Sequence, residues 1–176
     1  MVLKAMSLEA ARESIKDFMH NLSNGDRDTS FSAAALDSAS LELLDLSRSE
    51  DGKYSELVCE MQATDKMANG LGNVHGGCVA TIVDCITSAC IYCHTTGEIP
   101  DPWSMLGVSQ SLSIVYLSPL PIESYMDIII TVASVGRSIS VTQAEIWVKD
   151  GKGGKRIRKA ALGTHTKVDN SSQAKL

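Results

Sequence analysis

Asp84 is the only charged residue in the run 76–93. An ionised carboxylate set among apolar side chains is costly to bury unless it is paired, hydrogen-bonded or put to use. In use, its chemistry is that of a general base or a nucleophile. Gly76 stands eight residues earlier, inside the tripeptide His75-Gly76-Gly77. Glycines at a helix start let another molecule approach the unpaired backbone N–H groups of the first turn. An anion, or an oxygen gaining negative charge, is favoured at that place. The stretch therefore offers an acid and an anion-accepting tip on one element.

The run 76–93 is apolar around nearly its whole helical circumference, which places it in a core. It is barely long enough to span a bilayer and carries Asp84, Thr81, Thr87 and Ser88, so it is read as a core helix rather than a membrane span. Before it, Leu8, Ala11, Ile15, Phe18, Met19 and Leu22 recur at helical spacing, and Asn24-Gly25 supplies a stop. Residues 26–37 are small and polar and read as a loop. Residues 39–46 and 54–63 read as two strands joined by Ser49-Glu50-Asp51-Gly52. Four more strand-like runs follow at 105–116, 125–135, 139–149 and 156–167, punctuated by Pro119, Pro121, Gly136 and a glycine cluster at 151–154. Residues 169–176 are polar and are expected to be a flexible tail. The expected fold is α+β, a curved antiparallel sheet wrapped around one long central helix. The expected organisation is an N-terminal helix and loop over 1–37, one domain over 38–168, and the tail. One sheet cannot cover both of its own faces, so self-association is expected.

At 176 residues and 44% apolar composition, the chain can bury a substantial core. A net charge of -5 argues against nonspecific nucleic-acid binding. An anionic ligand would have to be met by a local basic patch. No continuous apolar signal segment opens the chain, and Glu9, Glu13 and Asp17 count against a transit peptide. Five cysteines, an odd number, suit reduced thiols in a reducing compartment. Cys90-Ile91-Tyr92-Cys93-His94 formally matches a haem-attachment pattern, but it falls at the end of a buried helix, and core packing is the better reading. No second Cys/His pair stands at zinc spacing. No metal or redox cofactor is expected.

Asn69-Gly70-Leu71-Gly72-Asn73-Val74-His75-Gly76-Gly77, followed by Ala80-Thr81-Ile82-Val83-Asp84, resembles the active-site segment of hotdog-fold acyl-CoA thioesterases of the PaaI-like group, thioesterase superfamily member 2 type. Gly107-Val108-Ser109, residues 113–119 and Gly163-Thr164-His165-Thr166-Lys167 continue the likeness, which covers roughly residues 38–168. The joint His-Gly-Gly and distant Asp pattern carries it; His-Gly-Gly alone would be weak.

The resemblance implies hydrolysis of acyl-CoA to a free acid and coenzyme A. In it, the Gly76 N–H and Asn69 polarise the thioester carbonyl, Asp84 acts as base or nucleophile, and Ser109 orients the attacking water. His75 holds the loop or touches the thioester. Each residue also has a plainer reading: Asp84 as a structural acceptor, His75 and Asn69 as turn formers, Ser109 as strand packing. Coenzyme A contacts carried over by the same likeness fall on Tyr116 and on Ser134, Val135, Gly136, Arg137, Ser138 and Ile139. A second basic group, Lys152, Lys155, Arg156, Arg158 and Lys159, reads as a solvated hairpin. Leu71, Val74, Trp103, Met105 and Leu106 are candidates for lining an acyl tunnel. Two other functions suit the same fold: noncatalytic acyl-CoA binding, and a dehydratase or hydratase acting on acyl thioesters.

Eight residues of helix put Asp84 about 12 Å along the axis from Gly76. Reacting atoms must lie within roughly 3 to 3.5 Å. The acid acting on a thioester held at one Gly76 is therefore expected from a neighbouring subunit, in a homodimer or a dimer of dimers. The compartment is expected to be cytoplasm or mitochondrion.

Overall fold

The computed structural model describes residues 4–24 and 31–173. Alternation along the strands sorts side chains onto two faces. In β4 (Tyr125–Val135), Met126, Ile128, Ile130 and Val132 are all fully buried, and Leu57, Cys59 and Met61 continue the same face on β2 (Ser55–Gln62). These residues pack against α3 (Gly76–Cys90), whose Val79, Ile82, Val83 and Ile86 are buried in turn. Each large aliphatic side chain removed from water here contributes about 1.5 to 3 kcal/mol.

Six strands form one antiparallel sheet. With β1 (Glu42–Arg48), β3 (Val108–Tyr116), β5 (Ile139–Lys149) and β6 (Arg156–Val168), the order is β1-β2-β4-β5-β6-β3. This is the expected α+β architecture, a sheet curled around a central helix. The stretch Gly76–His94 is apolar and long enough to cross a membrane by composition, yet 67% of it is buried inside the protein, where it serves as the core helix. Gly163 on β6 lets the helix approach: a β-carbon there would lie 2.7 Å from Val83 Cγ1.

The strand ranges 125–135 and 139–149 fall where the sequence reading puts them. Four places differ. The first strand, expected over 39–46, runs Glu42–Arg48, and Ser38–Ser40 form a 3-10 turn before it. Residues 31–35, expected as loop, form a short helix α2 (Phe31–Ala35), while 26–30 lie outside the described residues. The third long strand starts at Val108, because Trp103, Leu106 and Gly107 adopt positive φ angles that no strand accommodates. The start of the expected tail is held in place: Asp169 Oδ1 accepts from Trp103 N and Ser171 Oγ, and Ser171 is buried. The N-terminal helix α1 (Leu8–Asn24) inserts Ala11, Ile15, Met19 and Leu22 into the main core.

The opposite sheet face carries a buried ionic group. Lys149 Nζ lies 2.8 Å from Asp127 Oδ1 and 3.3 Å from Glu60 Oε2, Arg156 Nε lies 2.6 Å from Asp127 Oδ2, and Gly153 N donates to both Glu60 oxygens. Burial alone would discharge Lys149, but the two carboxylates raise its pKa.

Candidate active site

Helix α3 starts at Gly76 because His75 caps it. The His75 Nδ1 accepts from Gly77 N at 2.9 Å while its own backbone stays extended (φ -62°, ψ 139°). This satisfies one of the first-turn amides, and Val79 N returns to His75 O at 3.1 Å. Among the described residues nothing bonds the Gly76 N–H. Tyr116, from β3, donates its hydroxyl to Gly76 O at 2.8 Å and stands over the tip.

Asn69 does two things at once. Its Oδ1 accepts from Leu71 N (2.8 Å) and Asn73 N (3.2 Å), which shapes the glycine-rich turn. That leaves Nδ2 as a donor on a residue that lines a cavity of about 390 Å³ together with Gly76, Val79, Tyr116 and Val74. An oxygen seated there would meet two N–H donors.

Asp84 opens elsewhere. It lines a second cavity, of about 520 Å³, with Gly77, Ala80, Thr81, Leu112 and Phe31 of α2. Among the described residues Gly76 and Asp84 line separate cavities. The Asp84 side chain is 46% exposed, and its Oδ1 accepts from Ser109 Oγ at 2.9 Å. Sequence analysis gave Asp84 and Ser109 separate roles in one reaction, and the structure places them in hydrogen-bond contact.

Behind Ser109 stands a residue the sequence reading passed over. His165 of β6 is 0% exposed, with Nε2 2.9 Å from Ser109 Oγ and 3.4 Å from Asp84 Oδ1. Its Nδ1 lies 2.6 Å from Thr87 Oγ1. Burial first and the nearby Lys167 charge second bring the imidazole down to about 4, with Asp84 only partly opposing them, so the ring is neutral at pH 7. Lys167, also buried, donates to Ser88 Oγ at 2.6 Å. Burial lowers its pKa while the charge of Asp84 raises it back in part. The signal for both residues is positional: Ala161, Gly163, His165 and Lys167 occupy the buried register of β6. A histidine and a lysine on the helix-facing side of a strand have to be bonded to something.

The stretch carried over as a coenzyme A contact forms the end of β4, an exposed turn and the start of β5. Gly136 N closes the turn on Ile139 O at 2.8 Å, and Arg137 projects from it without an ion pair among the described residues. Trp103, offered as a tunnel wall, is completely buried, and Leu71 is 86% exposed; of that set Val74 lines the Gly76 cavity. Lys152, Arg156 and Lys159 are committed to Glu42, Asp127 and Glu145, and Arg158 donates to Pro119 O.

A family model described as Thioesterase superfamily matches residues 71–155. Acyl-coenzyme A thioesterase 13 of Mus musculus is 33% identical over 112 residues, 64% of this chain and 71% of that protein. The Homo sapiens protein of the same name is 33% identical over 114 residues, with the same coverage. The crystal structure of zebra fish thioesterase superfamily member 2 superposes with a TM-score of 0.66 at 22% identity, covering 93% of this chain and 99% of that one. That structure shares the curled sheet and central helix. By these matches the chain belongs to the thioesterase superfamily and is a thioester hydrolase of hotdog fold.

Proposed function

We propose that this protein hydrolyses acyl-CoA to a free acid and coenzyme A, with Asp84 of one subunit acting on a thioester held at Gly76 of another. The carrying observation is the division of the machinery on one helix. Gly76 and Asn69 line one cavity, and Asp84, bonded to Ser109, lines another. A second copy that brings its acid to the first copy's tip completes one site and, by symmetry, a second. The names of the mouse and human relatives support acyl-coenzyme A as the substrate class. Strand β3 at the sheet edge, with Val108, Val115 and Tyr116 exposed, supports pairing of copies along that edge.

In this reading the thioester oxygen sits against Gly76 N–H and Asn69 Nδ2, which stabilise the charge it gains when attacked. Asp84 Oδ1 is engaged by Ser109, and Oδ2 takes the proton of a water as its oxygen bonds the carbonyl carbon. Collapse of the tetrahedral species breaks the C–S bond, and the proton passes to the leaving thiolate. Arg137 on its exposed turn meets the nucleotide phosphates of coenzyme A.

Thiol release from a panel of acyl-CoA esters tests this. Asp84→Asn is expected to lose about 10²- to 10⁴-fold in kcat. Wild-type rates in that variant on every ester would remove Asp84 from the reaction. Gly76→Pro deletes the N–H at a helix position that tolerates proline, after a residue already extended as proline requires. Mixed oligomers of Asp84→Asn and Gly76→Pro chains are expected to regain activity after subunit exchange. No recovery despite proven exchange would place both groups within one chain.

A further inference from the structure

The turn that carries Arg137 is tied down from behind. Trp103 Nε1 donates to Gly136 O at 2.8 Å, and Asp169 N donates to Ser138 O at 2.9 Å. The carbonyls on either side of Arg137 are thus both held. The two donors are also bound to each other, since Trp103 N donates to Asp169 Oδ1 at 2.9 Å. Asp169 Oδ1 accepts further from Ser171 N (3.1 Å) and Ser171 Oγ (2.7 Å), and Met105 N donates to Ser171 Oγ at 3.3 Å.

The indole is fully buried although it belongs to a loop. Its seat depends on Gly107, where a β-carbon would come within 2.7 Å of Trp103 Cζ3 and of Val168 O. Trp103 itself holds φ at +66°, a conformation a bulky side chain keeps only when its surroundings over-determine it. Segment 99–106 and residues 169–171 therefore form one hydrogen-bonded brace under an exposed hairpin turn whose own closure is the Gly136 N to Ile139 O bond. Arg137 has no partner to hold it among the described residues, so its backbone sets where its charge stands.

Resting on the reading of Arg137 given above, we propose that Trp103 and Asp169 are positioning residues that hold the Gly136-Arg137-Ser138 turn for the phosphates of coenzyme A. They act on the nucleotide end of the substrate and leave the chemistry at the thioester alone. Losing the brace lets the arginine wander and weakens phosphate contact, because a charge-assisted pair depends on placement.

Hexanoyl-CoA and hexanoyl-pantetheine share the thioester and differ in the nucleotide, so the ratio of their kcat/KM values reads the turn alone. Trp103→Phe keeps an aromatic ring, smaller than the indole, and deletes the Nε1 donor. It is expected to lower the ratio by about tenfold through KM of the CoA ester. Asp169→Ala is expected to do the same, and Asp169→Asn, which keeps an acceptor oxygen, to restore most of it. Arg137→Ala is run in parallel. If it lowers the ratio while Trp103→Phe and Asp169→Ala leave it at the wild-type value, the brace is overturned and the phosphate reading stands. If Arg137→Ala leaves the ratio unchanged, the phosphate reading falls and takes the brace with it. Equal losses on both esters in the Trp103 and Asp169 variants would reduce the pair to fold stability. Should Trp103→Phe not fold, the two Asp169 variants decide the matter.

Discussion

Ser109 has one proton and two claimants, Asp84 Oδ1 and His165 Nε2, each 2.9 Å from its oxygen. If the proton goes to the carboxylate, the serine oxygen must accept from the imidazole, which fixes the neutral ring as the Nε2–H tautomer. Nδ1 then takes the Thr87 proton, which Val83 O can do without because it already has its helical partner. His165 thereby acts through Ser109 on the orientation of Asp84. His165→Ala is expected to lower kcat about tenfold with little change in KM, and the double variant with Ser109→Ala to be hardly worse than either single one. Additive losses would break the chain at that link. Asp84 was legible because a lone acid interrupts an apolar run. His165 was not, because its polarity only becomes conspicuous once the register of β6 is known. For Asn69 the turn reading holds, its oxygen accepting from Leu71 and Asn73, and the residue also lines the Gly76 cavity.

Among the elements, α3 and β6 depend on each other at one missing side chain. Gly163→Ala would press a methyl to 2.7 Å from Val83 Cγ1 and 3.1 Å from Val83 Cγ2. Overpacking of that kind is expected to destabilise by about 1 to 3 kcal/mol, measured by urea unfolding, and Val83→Ala in the same chain should relieve part of it. Strands β4 and β5 were readable because both runs are rich in Ile, Val and Thr and bounded by turn residues, although Ile128-Ile129-Ile130 and Ile146-Trp147-Val148 break the apolar–polar alternation. Helix α2 was hidden: Phe-Ser-Ala-Ala-Ala has no room for a period, and its placement is set by tertiary contact, where Phe31 walls the Asp84 cavity. The ordering of Asp169 and Ser171 was equally invisible, since their partner Trp103 lies 66 positions away from the aspartate.

Taken as a whole, the molecule has an acid-sensitive interior. His94, bonded to Ser55 at 2.8 Å, is held by burial at about 4, as is His165. Both pKa values lie below the unfolded value of 6.5, so the unfolded chain takes up protons first. Stability is expected to be full above pH 6.5 and to fall as the pH drops from there towards 4, by roughly 3 kcal/mol for each histidine. Urea midpoints at pH 7 and pH 5 check this, and an unchanged midpoint would contradict the burial of both rings. The edge strand makes a separate prediction at this scale: Val115→Lys on β3 is expected to shift the sedimenting species towards monomer and to reduce turnover with it. On the reverse of the sheet, Glu60 and Asp127 against Lys149 and Arg156 balance two negative charges with two positive ones. Mobile ions in the buffer screen exposed pairs such as Lys16 with Glu13, but they do not reach Lys149. The buried part of this quartet, Lys149 with Glu60 and Asp127, should therefore loosen far less in brine than the surface pairs do, while Arg156, 42% exposed, stays open to screening.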